Sequence, residues 1–121
     1  MPEITPVDPE RELFRIHPDR RIEPAEHRPG PPERIDGHTL GIVRMAASAP
    51  HGGEMHPDGD EILYVITGRV RVTGDSAPES PLELGPGQAC IVPAGEWHTV
   101  DVLEPVQLVH LTPGPGGAHR P

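Results

Sequence analysis

Two short segments of this 121-residue sequence carry side chains that can bind a metal ion. Glu54, His56 and Glu61 lie close together in the first segment, and His98 lies in the second. Two imidazoles and two carboxylates suit a divalent ion such as Fe, Mn, Ni or Zn, and the set holds no thiolate to select a softer ion. The sequence therefore predicts a metal site formed where two distant segments meet.

Glu54 has more than one possible role. A single residue separates it from His56, so an extended strand would place both on the same face, where Glu54 can be a fourth ligand. If it does not bind the metal, it is a possible general base beside it. His51 is the alternative fourth ligand, because Gly52 and Gly53 would let the chain bend toward the site. A metal-free, hydrogen-bonded interior is the structural alternative.

The composition excludes several classes of protein. A net charge of −9 argues against a nucleic-acid surface, which needs clustered cations. All ten cationic residues are arginine, so Schiff-base chemistry on lysine is excluded. The single Cys90 cannot form an internal disulfide, and its apolar surroundings favour a small buried side chain over a nucleophile.

No segment predicts contact with a membrane. The N-terminus has prolines and acids where a signal peptide would be apolar, and no apolar run approaches the length of a membrane span. We therefore expect a cytoplasmic protein, with neither nucleic acid nor membrane among its partners.

Eighteen prolines and fourteen glycines interrupt the apolar runs, which disfavours helices and favours a sheet protein with many turns. The predicted strands span residues 40–47, 61–67, 69–73, 82–84, 89–92, 98–103 and 106–112. The second and third are expected to form a hairpin at Gly68. Alternation places Glu61 on the face of Leu63 and Val65, and His98 on that of Val100 and Val102, so both ligands would project into the interior.

Three regions follow from this pattern. Residues 1–36 are an N-terminal arm or edge strand, partly irregular, whose apolar patch around Phe14 could be exchanged between subunits. Residues 37–112 form the barrel, and residues 113–121 form a flexible tail rich in glycine and proline.

The two segments resemble the two motifs of the cupin superfamily. The first motif has two histidines one residue apart, then a glutamate and a glycine, and His56, Glu61 and Gly68 occupy the last three of these positions. The second motif is matched in full by Gly87, Pro93, Gly95 and His98. Glu54 stands at the position of the first histidine, as in a subgroup of small bacterial cupins that it resembles.

The resemblance implies an all-β protein with a single cupin-type jelly-roll barrel, and a homodimer. It also implies a divalent metal held by His56, Glu61 and His98, with Glu54 beside them. The expected function is dioxygenase-, isomerase- or lyase-like chemistry on a small polar or acidic molecule. The alternative is a non-catalytic barrel that binds or senses a small molecule.

The sequence also predicts positions for five other residues. His110 could line the mouth of the pocket, although a hydrogen-bonded structural histidine is favoured. Arg44 could offer its guanidinium to an anionic substrate or lie on the surface. Trp97 should point away from the site, in a structural or interface role. Asp58 and Asp60 belong to a solvated turn.

Overall fold

The computed structural model describes residues 3–29 and 33–121, all of whose regular structure is β-strand. The remaining five residues, which fall in the predicted N-terminal arm, lie outside the described part. The strands are β1 (Glu12–Ile16), β2 (Ile22–Glu26), β3 (Gly37–Met45), β4 (Gly53–Met55), β5 (Glu61–Gly74), β6 (Leu82–Leu84), β7 (Ala89–Val92), β8 (His98–Gly114) and β9 (Ala118–Arg120). No helix within these ranges is long and apolar enough to cross a membrane.

Two long strands, β5 and β8, join the chain into one antiparallel barrel. On one side the order is β2-β1-β3-β8-β5-β7, formed by the second half of β8 and the first half of β5. On the other side the remaining halves of the same two strands lie between β6 and β4, and β9 pairs with β4. The predicted all-β barrel is confirmed.

The predicted hairpin at Gly68 is wrong, because β5 runs unbroken from Glu61 to Gly74. It pairs along its length with β8, which likewise continues through Glu104 and Pro105. Gly68 has φ +84°, and the register of the pair shifts on both sides of it. The glycine therefore marks a β-bulge that bends the strand between the two sides of the barrel, where we had expected a turn.

The inner faces of the two sides form one apolar core. Its buried residues are Leu63, Val65, Val70, Val72, Leu84, Val92, Val106 and Leu108. Alternation along β5 places Glu61 on this face with Leu63 and Val65, as predicted, while Tyr64 is 40% exposed on the other face. His98, at the start of β8, is also buried. Both predicted ligands therefore project inward.

The two ends of the chain are more regular than the sequence suggested. The patch around Phe14 is β1, which lies between β2 and β3 of its own chain. The tail, expected to be flexible, instead ends in β9, which pairs with β4. Arg120 holds it in place by two hydrogen bonds to Asp75 and by lying 4.6 Å from the ring centre of Trp97.

Candidate metal centre

The four predicted ligands meet at one place inside the barrel. Glu54 is the central residue of β4 and lies directly opposite His98, the first residue of β8. His56 follows β4, and Glu61 is the first residue of β5. His56, Glu61 and His98 are buried, and the Glu54 side chain is 24% exposed. The barrel thus brings together all four residues that the sequence singled out.

Four distances define the group. The Nε2 atom of His56 lies 3.6 Å from Oε1 of Glu54 and 3.5 Å from Oε2 of Glu61. The Nε2 atom of His98 lies 3.5 Å from Oε1 of Glu54 and 3.2 Å from Oε1 of Glu61. An ion about 2.1 Å from each ligand would hold adjacent ligand atoms about 3.0 to 3.4 Å apart in an octahedral or tetrahedral shell. The observed distances of 3.2 to 3.6 Å lie at or slightly above the upper end of this range, so a shift of a few tenths of an ångström would let the four side chains hold such an ion.

The lack of hydrogen bonds within the group also indicates a metal ion. Within the described residues, Nε2 of His56, Nε2 of His98 and Oε1 of Glu61 are buried without a hydrogen-bond partner. The 3.2 Å approach of His98 to Glu61 does not have hydrogen-bond geometry. Unpartnered buried polar atoms are costly, and a cation among them would satisfy all three. These residues therefore fit a divalent metal ion.

His98 is oriented by the backbone. Its Nδ1 lies 3.0 Å from the carbonyl oxygen of Glu96, so it carries the proton and donates it there, leaving Nε2 directed at the two carboxylates. Burial by itself lowers the pKa of His98, but Glu54 and Glu61 outweigh burial and raise the pKa to about 10. The negative charges of the two carboxylates thus favour a positive charge at the position of Nε2.

Glu61 is fixed by a short chain of hydrogen bonds. Thr112 donates its hydroxyl to Oε2 of Glu61 at 2.6 Å, so Nδ1 of His110 must be the donor in the 2.8 Å contact with Thr112. Burial, and next the charge of Arg34, lower the pKa of His110 to about 4, which keeps its ring neutral. The ring lies over Gly41, where any Cβ would overlap its Nε2. His110 is therefore hydrogen-bonded, as favoured from the sequence, and also lines the cavity.

Glu54 faces two groups at once. Its Oε1 is directed at His56 and His98, and its Oε2 lies 3.6 Å from Nε2 of His119. Burial by itself raises the pKa of Glu54, but the contacts with His56 and His98 outweigh burial and hold the pKa well below its usual range. His51 lies outside the buried group and forms a second cluster with Glu54 and His119.

The remaining candidates lie away from the centre. Arg44 is exposed and pairs with Glu10 at 2.9 Å, so it does not reach the cavity. Asp58 and Asp60 accept backbone hydrogen bonds from Gly116 and Ala94. Cys90 is half-buried, and burial raises the pKa of its thiol. Within the described residues, none of these side chains forms a hydrogen bond or an ion pair with the four ligands.

Three residues near the site were missed. Thr112 follows His110 by two positions in the same strand, so alternation could have placed it beside the ligands. His119 and Arg34 gave no such signal, because they fall in the segments expected to be a flexible tail and an irregular arm. Only the pairing of the chain ends with the barrel brings them near.

Comparisons with known proteins agree with the fold. The sequence profile of the cupin domain family matches residues 41–112. A cupin superfamily protein from Desulfitobacterium hafniense has a similar structure, with 19% identity and a TM-score of 0.55 over 65% of this chain and 69% of the other. A cupin-2 domain protein from Shewanella frigidimarina shares 17% identity at a TM-score of 0.54 over 67% and 74%.

The DMSP lyase DddQ from Ruegeria pomeroyi shares 23% identity at a TM-score of 0.56, over 69% of this chain and 43% of that enzyme. At such identities these likenesses concern the fold alone. No curated protein sequence matches.

Proposed function

The chain belongs to the cupin family, and from that premise we propose that it binds a divalent metal ion and acts on a small polar or acidic molecule. The observation that carries this proposal is the group of buried, unpartnered ligand atoms of His56, Glu61 and His98. Glu61, together with Glu54, lies in the wall of a cavity of about 590 Å³. That volume is within the usual range for small-molecule sites.

We assign a role to each residue of the metal centre. His56, Glu61 and His98 would hold the ion, and Glu54 would add a fourth ligand. The carboxylates of Glu54 and Glu61 together balance a divalent charge, which makes the ion a milder Lewis acid than three neutral imidazoles would. When bound, the metal supplies polarisation of a substrate oxygen, which serves an oxidation, an isomerisation or a lyase step. The apolar part of the cavity wall would shield the hydrocarbon part of a bound molecule from water.

Glu54 is better suited to binding than to proton transfer. Its lowered pKa keeps it ionised, as a metal ligand must be, and makes it a weak proton acceptor near neutral pH. We therefore assign Glu54 the fourth ligand position ahead of the role of general base. This position favours the second candidate function, a non-catalytic barrel that binds a small molecule, because a fourth protein ligand leaves fewer coordination positions open.

The test of metal binding is a titration of chelator-treated protein with Mn(II) and Zn(II) by calorimetry, together with metal analysis of the purified protein. We expect His98→Gln to weaken binding by about 100-fold or more, since it removes a ligand outright. His17→Gln is the matched control, because His17 also contacts a carboxylate, Glu23, but lies outside the cavity. If wild type holds no metal above background and His98→Gln changes nothing, the proposal fails.

Turnover is a separate measurement. Oxygen uptake and product analysis against a panel of small acids, diols and sugars distinguish an enzyme from a binding protein. A substrate consumed by wild type and not by His98→Gln supports an enzyme. Metal binding without any turnover supports the non-catalytic barrel.

A further inference from the structure

The cavity beside the metal centre has walls of two kinds. Apolar side chains from both sides of the barrel line it, among them Leu13, Val43 and Leu108 on one side and Val100 on the other. Toward the N-terminal segment the lining is charged, with three arginines, Arg15, Arg28 and Arg34, and two carboxylates, Glu26 and Glu33. Glu54 and Glu61 of the metal centre also line the cavity. A molecule bound here would meet acidic metal ligands in one part and arginines in another.

Arg34 is the least satisfied of these cations. Its Nη1 is buried and has no hydrogen-bond partner among residues 3–29 and 33–121. Burial lowers the pKa of Arg34, and only the charges of Glu61 and Glu54 act against this. Neither carboxylate hydrogen-bonds to that nitrogen, since both face the imidazoles. A buried donor on a charged group is costly to leave unpaired, so the site is set up for an anionic acceptor.

Arg15 is a second arginine of the cavity wall with an unpaired donor. Its Nε is also buried without a partner in the described part of the chain. Its one ion pair, with Glu33, is long at 3.8 Å, and Glu33 is 80% exposed, so it is worth little. Two cavity-lining guanidinium groups therefore have unused donors. By contrast, the exposed Arg44 and Arg71 each have a carboxylate at 2.9 Å.

We propose that Arg34, with Arg15 of the same cavity wall, binds the carboxylate of a small organic acid that occupies the cavity next to the metal centre. The inference rests on the proposed function and narrows its substrate from any small polar molecule to a carboxylate. A guanidinium is planar and presents parallel N–H donors that match the two oxygens of a carboxylate. The apolar part of the wall suits a short hydrocarbon chain better than a strongly hydrated sugar. From the sequence, Arg44 was equally a candidate for this role and for the surface, and its ion pair with Glu10 places it at the surface.

The probes for the test are butanoate, succinate and butanamide, titrated by calorimetry into metal-loaded protein. We expect the acids to bind, and the uncharged amide to bind at least about 10-fold more weakly. Arg34→Gln should weaken acid binding about 10- to 100-fold, the range expected for a hydrogen bond to a charged group. Arg71→Gln is the matched control, since Arg71 is exposed and lies outside the cavity, and it should change binding less than about twofold. Circular dichroism establishes that each variant is folded.

Metal analysis of the same samples separates this proposal from the proposed function. Arg34→Gln should retain the metal content of wild type while losing acid binding. If wild type binds metal but no acid with a Kd below about 10 mM, or binds amide and acid equally, the carboxylate proposal is overturned and metal binding stands. If acid binding depends on Arg34 in a protein that holds no metal, the carboxylate site stands and the proposed function fails.

Discussion

Glu54 is the residue that distinguishes this site from one with a histidine at the same position. Its backbone lies opposite His98 in adjacent strands, so the pairing of β4 with β8 fixes where its carboxylate lies. One oxygen approaches both buried imidazoles, and the other approaches His119. A carboxylate brings a negative charge where an imidazole would bring none. We therefore expect this site to bind cations more tightly than a site with histidine at the same position. A metal ion bound here should also polarise a bound molecule less.

Thr112 provides a prediction at the level of a single hydroxyl. Thr112→Val removes the hydrogen bond to Oε2 of Glu61 at nearly constant volume, and leaves Nδ1 of His110 without its acceptor. Because partners that orient a ligand typically matter 10- to 100-fold, we expect the affinity for Mn(II) to fall about 10-fold or more.

Titration calorimetry measures this affinity, and Thr67→Val, an exposed threonine of β5, is the control. Unchanged Mn(II) affinity in Thr112→Val would show that Glu61 is held by its strand alone.

At the level of elements, the bulge in β5 decides the shape of the barrel. Gly68 has a positive φ, and a Cβ there would overlap the backbone of Pro105 in the neighbouring strand. Gly87 also has a positive φ, but nothing lies within 4 Å of a Cβ placed on it. Both are motif glycines, yet only the first is required by the packing of two strands as well as by its own conformation.

This difference predicts unequal costs. Gly87→Ala should lower the free energy of unfolding by about 1 kcal/mol, the strain of a positive φ at a residue with a side chain. Gly68→Ala should lower it by about 3 kcal/mol or more, because the backbones of β5 and β8 must also move apart. Urea unfolding followed by circular dichroism measures both values. Equal losses would mean that the strands adjust to a methyl group at no cost.

The pairing of β9 predicts a pH dependence. The hydrogen bond from Arg120 is the largest influence on Asp75 and holds its pKa below 3.8, its ordinary value. A depressed pKa in the folded state contributes stability that is complete above the unfolded pKa and is lost as the pH falls through the folded value. The contact between Asp75 and Arg120 should therefore persist at neutral pH and loosen only below about pH 3.8.

Trp97, the only tryptophan, lies against Arg120 and reports this contact by its fluorescence. We expect Asp75→Asn to show at neutral pH the altered emission that wild type shows only in acid. Glu83→Gln, which breaks another exposed pair with Arg71, should behave as wild type. Identical acid titrations of wild type and Asp75→Asn would contradict the prediction.

The sequence was most informative where chemistry and strand parity agree. The inward positions of Glu61 and His98 follow from alternation within single strands, and the fold follows from two spaced motifs. The continuous path of β5 through Gly68 could not be predicted, since a glycine with positive φ serves a turn and a bulge equally well. Arg34 and His119 reach the site only through long-range pairing, which has no local signal in the sequence.

On the scale of the whole molecule, one exposed surface of the barrel is notably apolar. It is the outer face of β7 and of the first half of β5. The exposed fractions are 43% for Ile62, 40% for Tyr64, 36% for Ile66 and 68% for Ile91. Ile62 and Ile91 are direct partners in β5 and β7, so the side chains form one continuous patch. Patches of this kind mark protein interfaces. We expect this face to be the contact of the homodimer that family resemblance implies.

The dimer prediction is tested by light scattering coupled to size-exclusion chromatography. The double variant Ile62→Glu, Ile91→Glu should be monomeric, because like charges would face each other across the contact. Leu82→Glu is the control, since Leu82 is 48% exposed on β6, on the other side of the barrel, and its substitution should leave the dimer intact. Each copy carries a net charge of −9, so added salt should tighten the wild-type dimer by screening the repulsion. If the wild-type protein stays monomeric at high salt and high concentration, the patch has no role in self-association.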